Sequence, residues 1–252
     1  MDIKIYTFGR FSLLKHNKPL RFTRKAQMKP LVMLKMLIAF GGRNVKKERL
    51  SDSLWPDSDG DVAENVFTTT LHRLRKLLGC ADALQLNAGC LTLDPKHCWV
   101  DCWKFERICR RAEIAWENAS SEAGVATAID LSMQAMELYK GPFLNEEMTD
   151  WWTVLARERL RSKYLRAVGR LGHYWESTHN YEKAVTCFQK SLEVDGLDEE
   201  FYRRLIACYY RLGERGKALL TYRRCRKALI TNLGVEPSEE TEILRKTIEE
   251  SS

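Results

Sequence analysis

The sequence predicts a multi-domain chain, α+β over residues 1–98 and all-α over residues 99–252. Three observations lead there. The hydrophobic period switches repeatedly between the strand and helix values in the front, whereas the rear keeps the helical period. A 34-residue repeat runs through the rear. Excess positive charge is confined to the front: residues 1–100 hold 17 Lys and Arg against 9 Asp and Glu, while residues 101–252 hold 24 against 25. An anion-binding front joined to a neutral rear is the simplest reading of that asymmetry; a solvated basic surface is the competing one.

Composition limits the classes further. With 252 residues, 44% hydrophobic and 30% charged, the chain has enough apolar material for one large or two ordinary cores. Six prolines and 14 glycines exclude collagen-like and Pro-rich classes. No apolar run approaches the ~20 residues that span a bilayer. The longest, Leu31 to Phe40, is interrupted by Lys35. The N-terminal MDIKIYTFG lacks the basic and apolar regions of a secretion signal. A cytoplasmic protein with reduced thiols and no membrane partner is expected.

Element by element, Ile3 to Phe8 alternates as a half-buried strand does, Gly9-Arg10 turns, and Phe11 to Leu14 forms a second strand. Lys18-Pro19 predicts a turn before a short strand at Leu20 to Phe22. From Pro30 the pattern is helical, because proline at the first helical position forfeits only an N–H that has no partner there. Leu31, Leu34 and Ile38 make the stripe, and Gly41-Gly42 ends it. A second helix runs from Lys46 to Trp55 and stops at Pro56. A third runs from Asp61 to Leu78 and closes at Gly79. Leu84 to Leu86 and Leu91 to Leu93 flank Asn87-Ala88-Gly89-Cys90, a hairpin. Strands, three helices and a hairpin in this order make a winged helix-turn-helix.

The rear reads as a helical pair, Asp101 to Glu117 and Glu122 to Tyr139, broken at Gly141-Pro142 and followed by a long helix from Asp150 to Ser177. Leu171, Trp175, Ala184 and Phe188 then recur as Leu205, Tyr209, Ala218 and Tyr222, each 34 residues on. The small Ala admits close helix approach and the aromatic rings fill the space between pairs. This is the tetratricopeptide pattern, which needs neighbours to bury its faces and forms a concave surface for a helix or peptide. The aromatic residues of the repeat are expected to hold it together and leave the ligand contacts to other side chains.

The third helix carries the functional argument. At 100° per residue, Ala63, Phe67, Leu71, Leu74 and Leu78 share one face, with Val66, Thr70 and Leu77 at its edge. The other face presents Asn65, Thr68, Thr69, His72, Arg73, Arg75 and Lys76, with no carboxylate after Glu64. Short hydrogen-bonding groups come early and cations late. A helix in the DNA major groove needs this order, with side chains that read base edges followed by cations for phosphates. An exposed basic helix without a partner is the competing reading of the pattern alone.

The segment LSDSLWPDSDGDVAENVFTTTLHRLRKLLG resembles the second helix, loop and recognition helix of OmpR/PhoB-type winged-helix domains. The stretches LYKGPFLNEEMTDWW and YEKAVTCFQKSLEVDGLDEEFYRRLIACYYRLGERGKALLTYRRCRKALITNLGVEPSEET resemble the bacterial transcriptional activation domain. Together they resemble the antibiotic regulatory protein (SARP) family of activators over nearly the whole chain. The resemblance implies a winged helix-turn-helix over 1–98 and tetratricopeptide-like repeats over 99–252. It implies sequence-specific binding of double-stranded DNA at promoter repeats through helix 62–78. Thr68, Thr69, His72 and Arg73 then face base edges, and Arg75 and Lys76 face phosphates. It also implies that the loop holding Asp57, Asp59 and Asp61 contacts RNA polymerase; a capping role for Asp61 is the alternative. Two positions depart from the family. Lys46 stands where a Ser cap is usual, and the hairpin tip Asn87-Ala88-Gly89-Cys90 lacks the family's Gly-Tyr pair or basic residue, which removes the basis for a minor-groove contact there.

Other chemistries find little in the sequence. His97, Cys98, Cys102 and Cys109 lie close together without metal-ligand spacing, so no metal and no cofactor are expected. There is no P-loop, dinucleotide fingerprint or nucleophile elbow, and the five histidines are scattered, so no enzyme is expected. The rear repeats are expected to bind a second copy, a protein or a small ligand. Two readings compete with the DNA-binding activator: a helical-repeat adaptor whose winged helix binds protein, and the DNA-binding front of a longer regulator.

Overall fold

The computed structural model describes residues 2–20, 22, 28–58, 60–145 and 150–250. The chain is mostly helical with a small sheet region. In the front the elements are β1 (Ile3–Tyr6), β2 (Ser12–Lys15), β3 (Lys18–Pro19), α1 (Met28–Ala39), β4 (Val45–Lys46), α2 (Lys47–Leu54), α3 (Gly60–Leu78), β5 (Leu84–Asn87), β6 (Cys90–Leu93) and β7 (Cys98–Val100). A four-stranded sheet has the order β3-β2-β1-β7 and a three-stranded sheet the order β4-β6-β5.

The first hairpin corrects the sequence reading. The turn falls at His16-Asn17, whose φ angles are 49° and 62°, and Lys18-Pro19 is strand, with Lys18 opposite Lys15 and Pro19 opposite Leu14. Asn and His enter the left-handed region more readily than most residues, and Pro is tolerated because β3 is the edge strand. Leu20 lies past the strand, its N–H donating to the Leu13 carbonyl at 2.9 Å. Arg21 of the expected Leu20 to Phe22 strand lies outside the described residues. β7 pairs in parallel with β1, Ile3 opposite Cys98; three residues are too few for an alternation to show.

Helices α1, α2 and α3 pack on one another and bury Leu34, Leu37, Ile38, Leu50, Phe67, Leu71 and Leu74. The α1 sequence is apolar on nearly every side, and even Lys35 is buried. Its ammonium sits 4.4 Å from the centre of the Phe11 ring, a cation–π contact that suits a desolvated lysine.

The remaining elements are α4 (Asp101–Glu117), α5 (Glu122–Leu138), α6 (Trp151–Ser177), α7 (Tyr181–Val194), α8 (Glu199–Arg211), α9 (Arg215–Leu233) and α10 (Glu239–Glu250). The chain forms two compact units, and neither is one continuous stretch. The first is Met1–Arg107 with Leu138–Leu160; the second is Ile108–Glu137 with Arg161–Ser252.

In the first unit, residues 142–145 run beside residues 7–9. Gly9 donates to Pro142 at 2.9 Å, Leu144 to Thr7 at 2.7 Å and Asn145 to Gly9 at 3.0 Å. The rings of Phe8, Phe105 and Tyr139 meet with centroids 5.0 to 5.7 Å apart. Asp101, only 3% exposed, accepts from Thr7 N (2.8 Å), Thr7 Oγ1 (2.6 Å), Phe8 N (3.0 Å) and Cys102 N (2.7 Å). Burial pushes the Asp101 carboxyl above its ordinary range, and these bonds oppose that shift.

In the second unit the repeat positions form the core. Leu171, Ala184, Phe188, Leu205, Tyr209, Ala218 and Tyr222 are buried, and Trp175 packs half-buried against them. A methyl group at Gly172 of α6 would lie 2.7 Å from the Phe188 ring, so glycine is what lets that ring reach the helix backbone. Helix α10, absent from the sequence reading, packs on α8 and α9 and buries Ile248. Its start is fixed by Glu199, whose Oε1 accepts from Ser238 N (2.7 Å), Ser238 Oγ (2.7 Å) and Thr241 Oγ1 (2.6 Å). Burial alone pushes the Glu199 carboxyl up, but these bonds outweigh it and hold it below its ordinary value. The Pro-Ser-Glu-Glu-Thr ending is thus a helix start gripped by another helix. None of the described helices is long and apolar enough to cross a membrane.

Candidate nucleic-acid interface

Helix α3 is amphipathic as its sequence requires. Phe67, Thr70, Leu71, Leu74 and Leu78 are buried, while Ala63, Val66 and Leu77 are half-buried at the margin. Burying such apolar side chains stabilises by about 1.5–3 kcal/mol each, which fixes the helix's rotation and so decides what faces outward. The outward residues are Asn65, Thr68, Thr69, His72, Arg73 and Lys76, all exposed.

Arg75 differs from its predicted partner Lys76. It is half-buried, and its Nε and Nη2 donate to the Leu84 carbonyl at 3.2 and 2.8 Å. The carbonyl belongs to a buried residue at the base of β5. The guanidinium therefore ties the end of α3 to the hairpin, a contact that helical periodicity alone does not show.

The carboxylate nearest the exposed face is neutralised. Glu64 Oε2 sits 2.7 Å from Lys47 Nζ, and this hydrogen bond raises the Lys47 pKa. From Asn65 to Leu78 the helix presents no acidic side chain.

The hairpin turns at Ala88-Gly89, with φ angles of 47° and 72°, as a two-residue primed turn requires. Asn87 pairs with Cys90 across it. The Gly89 carbonyl accepts from Lys47 N at 2.9 Å. That explains the missing Ser cap: Lys46 makes no side-chain cap bond, and the hairpin tip satisfies the first amide of α2 instead. Lys46 pairs with Cys90 and is exposed. It places a cation beside the uncharged tip, and only strand pairing reveals it.

The acidic loop is partly described. Asp57 and Asp61 are exposed, and Asp59 lies outside the described residues. Helix α3 starts at Gly60, so Asp61 is inside its first turn, where a negative charge suits the helix dipole. The cysteines around the sequence's metal candidate, Cys98, Cys102 and Cys109, are buried free thiols. Among the described residues no group of three or more His, Cys, Asp or Glu side chains is placed to hold a metal.

Residues 100–249 match the bacterial transcriptional activator domain family. Over 205 residues the chain is 27% identical to the transcriptional regulator RedD of Streptomyces coelicolor, covering 78% of this chain and 57% of RedD. Over 224 residues it is 25% identical to the regulatory protein AfsR of Streptomyces griseus, covering 86% of this chain and 22% of AfsR. The solved structure of Mycobacterium tuberculosis EmbR, in complex with a low affinity phosphopeptide, superimposes with a TM-score of 0.70 at 19% identity, covering 98% of this chain and 65% of that one. The chain thus spans only part of the length of each relative. The chain belongs to the bacterial transcriptional activator domain family, among the SARP-type regulators.

Proposed function

We propose that the protein is a transcriptional activator that binds double-stranded DNA sequence-specifically, at promoter repeats, through residues 62–78. In this reading residues 1–98 hold a winged helix-turn-helix, with β5 and β6 as the wing. Residues 99–252 hold tetratricopeptide-like repeats that mediate self-association or receive a protein or small-ligand signal. Thr68, Thr69, His72 and Arg73, with Asn65 before them, read base edges. Lys76 faces phosphate, joined by Arg75 through whatever donors Leu84 leaves over. The observation that supports this most is the outward face of α3, exposed from Asn65 to Lys76 and without a carboxylate. Base-edge readers followed by cations on a helix held rigidly by its buried face suit the major groove.

Salt dependence tests the reading. Binding of the full chain to duplex DNA weakens as log K falls linearly with log salt, and Lys76→Ala shrinks that slope by about one with equal losses on all sequences. Arg75→Ala also lowers the melting temperature, because the buried Leu84 carbonyl loses a charged donor worth ~1.5–3 kcal/mol. A slope unchanged by Lys76→Ala removes that residue from the interface. A salt-insensitive partner instead of DNA points to the adaptor.

The acidic loop is proposed to touch RNA polymerase. Asp57 is exposed in the turn that leads to α3. Replacing Asp57 and Asp59 with Ala is expected to leave operator affinity unchanged and to lower transcription in a reconstituted system. Full transcription from this double variant excludes the loop as the activating surface.

A further inference from the structure

We propose that a cleft within the first compact unit binds a small planar aromatic anion, a ring system carrying a carboxylate or phosphate. The cleft has a volume of about 250 Å³, and its wall includes Arg43, Trp99, Trp103, Lys104, Glu106 and Arg107. All of these belong to that one unit. A cavity of ~150 Å³ is enough to take up a benzene ring, so this one has room for a ring and its acidic group. None of its wall residues lies on α3 or on the hairpin β5-β6, and the site stands whether or not α3 reads DNA.

The charge of the wall selects an anion. Arg43, Lys104 and Arg107 bring three cations to it. Glu106 brings the one carboxylate among the described wall residues, and Arg159 Nε neutralises it at 3.1 Å. A guanidinium meets a carboxylate or phosphate through two parallel hydrogen bonds, which fixes the orientation of the ligand as well as its charge. The two indoles select a flat ring, because aromatic groups pack on one another in offset or edge-on arrangements. An inorganic anion has no use for the tryptophans, and a neutral ring has none for the cations. DNA phosphates, the competing occupant, likewise need only the cations.

The wall is already fixed in the free protein. Trp103 Nε1 donates to the Ile38 carbonyl at 3.3 Å, and its ring lies so close to Gly42 that a methyl group there would collide with it. Trp99 packs on Tyr6 with ring centroids 5.2 Å apart. The loop that carries Arg43 is held on either side by β6: Leu93 N donates to the Gly42 carbonyl at 2.8 Å, and Asn44 N to Thr92 Oγ1 at 2.9 Å. Groups held in this way lose little freedom when a ligand arrives.

Isothermal titration calorimetry of the full-length protein tests this with four probes: naphthoate (ring and carboxylate), adenosine monophosphate (ring and phosphate), neutral naphthamide and inorganic phosphate. At least one of the two aromatic anions is expected to saturate a single site per chain. Naphthoate alone identifies a free aromatic acid as the ligand class, and adenosine monophosphate alone a nucleotide. Naphthamide and inorganic phosphate are expected to bind at least ~10-fold more weakly, as loss of a hydrogen bond to a charged group requires. Arg43→Ala and Arg107→Ala, both at exposed positions that leave the core intact, are each expected to weaken the aromatic anion by about 10-fold or more. Lys18→Ala, which removes an exposed cation off the wall, leaves binding unchanged. No saturable binding of either aromatic anion at millimolar concentration, or binding that survives both arginine variants, overturns the proposal. So does inorganic phosphate binding as tightly as the aromatic anions. If the arginine variants instead lose affinity for duplex DNA and no aromatic anion binds, the cations serve DNA phosphates and the proposal is wrong.

Discussion

A chain ending after Cys98 is expected to show no cooperative melting transition and no operator binding, although it contains every proposed DNA-reading residue. The first compact unit extends through Arg107 and takes up Leu138–Leu160. The truncation removes Phe105, Tyr139, Phe143, Leu144, Trp152 and Leu160, all buried. At ~1.5–3 kcal/mol per buried apolar side chain, their loss amounts to about 10 kcal/mol, which matches the whole stability of an ordinary domain, ~5–15 kcal/mol. It also removes Asp101 from the amides of Thr7 and Phe8, and Trp103, whose Nε1 donates to the Ile38 carbonyl at 3.3 Å. Thermal melts by circular dichroism decide this. A chain ending at Leu160 keeps the first unit's partners and is expected to melt cooperatively. A sharp transition from residues 1–98 alone shows that the later segments merely decorate a finished fold.

Asp101→Ala is expected to lower the melting temperature of the intact protein by on the order of 10 °C. The buried carboxylate serves four donors. Without it the Thr7 and Phe8 amides and the Thr7 hydroxyl lose a buried charged acceptor. Each buried donor left unmade costs ~1–3 kcal/mol, so a total of at least ~3 kcal/mol follows. Asp101→Asn keeps one acceptor oxygen and is expected to recover part of the loss. Calorimetry on both variants checks the order. An Asp101→Ala melt within a degree or two of the wild type contradicts the role assigned to this carboxylate.

The sequence made most helices legible because their information is local. Phe67, Leu71, Leu74 and Leu78 recur at helical spacing and mark the buried face of α3, and the 34-residue repeat names Ala184, Phe188, Ala218 and Tyr222 as core. What it hid depends on partners far along the chain. β7 is three residues long and exists because β1 lies beside it. The turn at His16-Asn17 lacks the glycine that usually signals one. Helix α10 depends on Glu199, about forty residues earlier. The same limit applies at the candidate site. The outward face from Asn65 to Lys76 follows from periodicity, but the Arg75 bond to Leu84 and the place of Lys46 beside the hairpin tip follow from strand pairing.

Whether the outward face of α3 reads DNA sequence is tested most directly by one binding measurement. A preferred duplex is first selected from random DNA by the full-length protein. Its affinity and that of a scrambled duplex are then measured at one fixed salt concentration for the wild type, Thr69→Ala and His72→Ala. The wild type is expected to prefer the selected duplex by ~10³-fold or more. Each substitution is expected to weaken binding to that duplex by about 10- to 100-fold, as loss of a base contact worth ~1–3 kcal/mol requires, and to leave the scrambled duplex nearly unaffected. Equal losses on both duplexes, or a selection that yields no preferred sequence, contradict the claim.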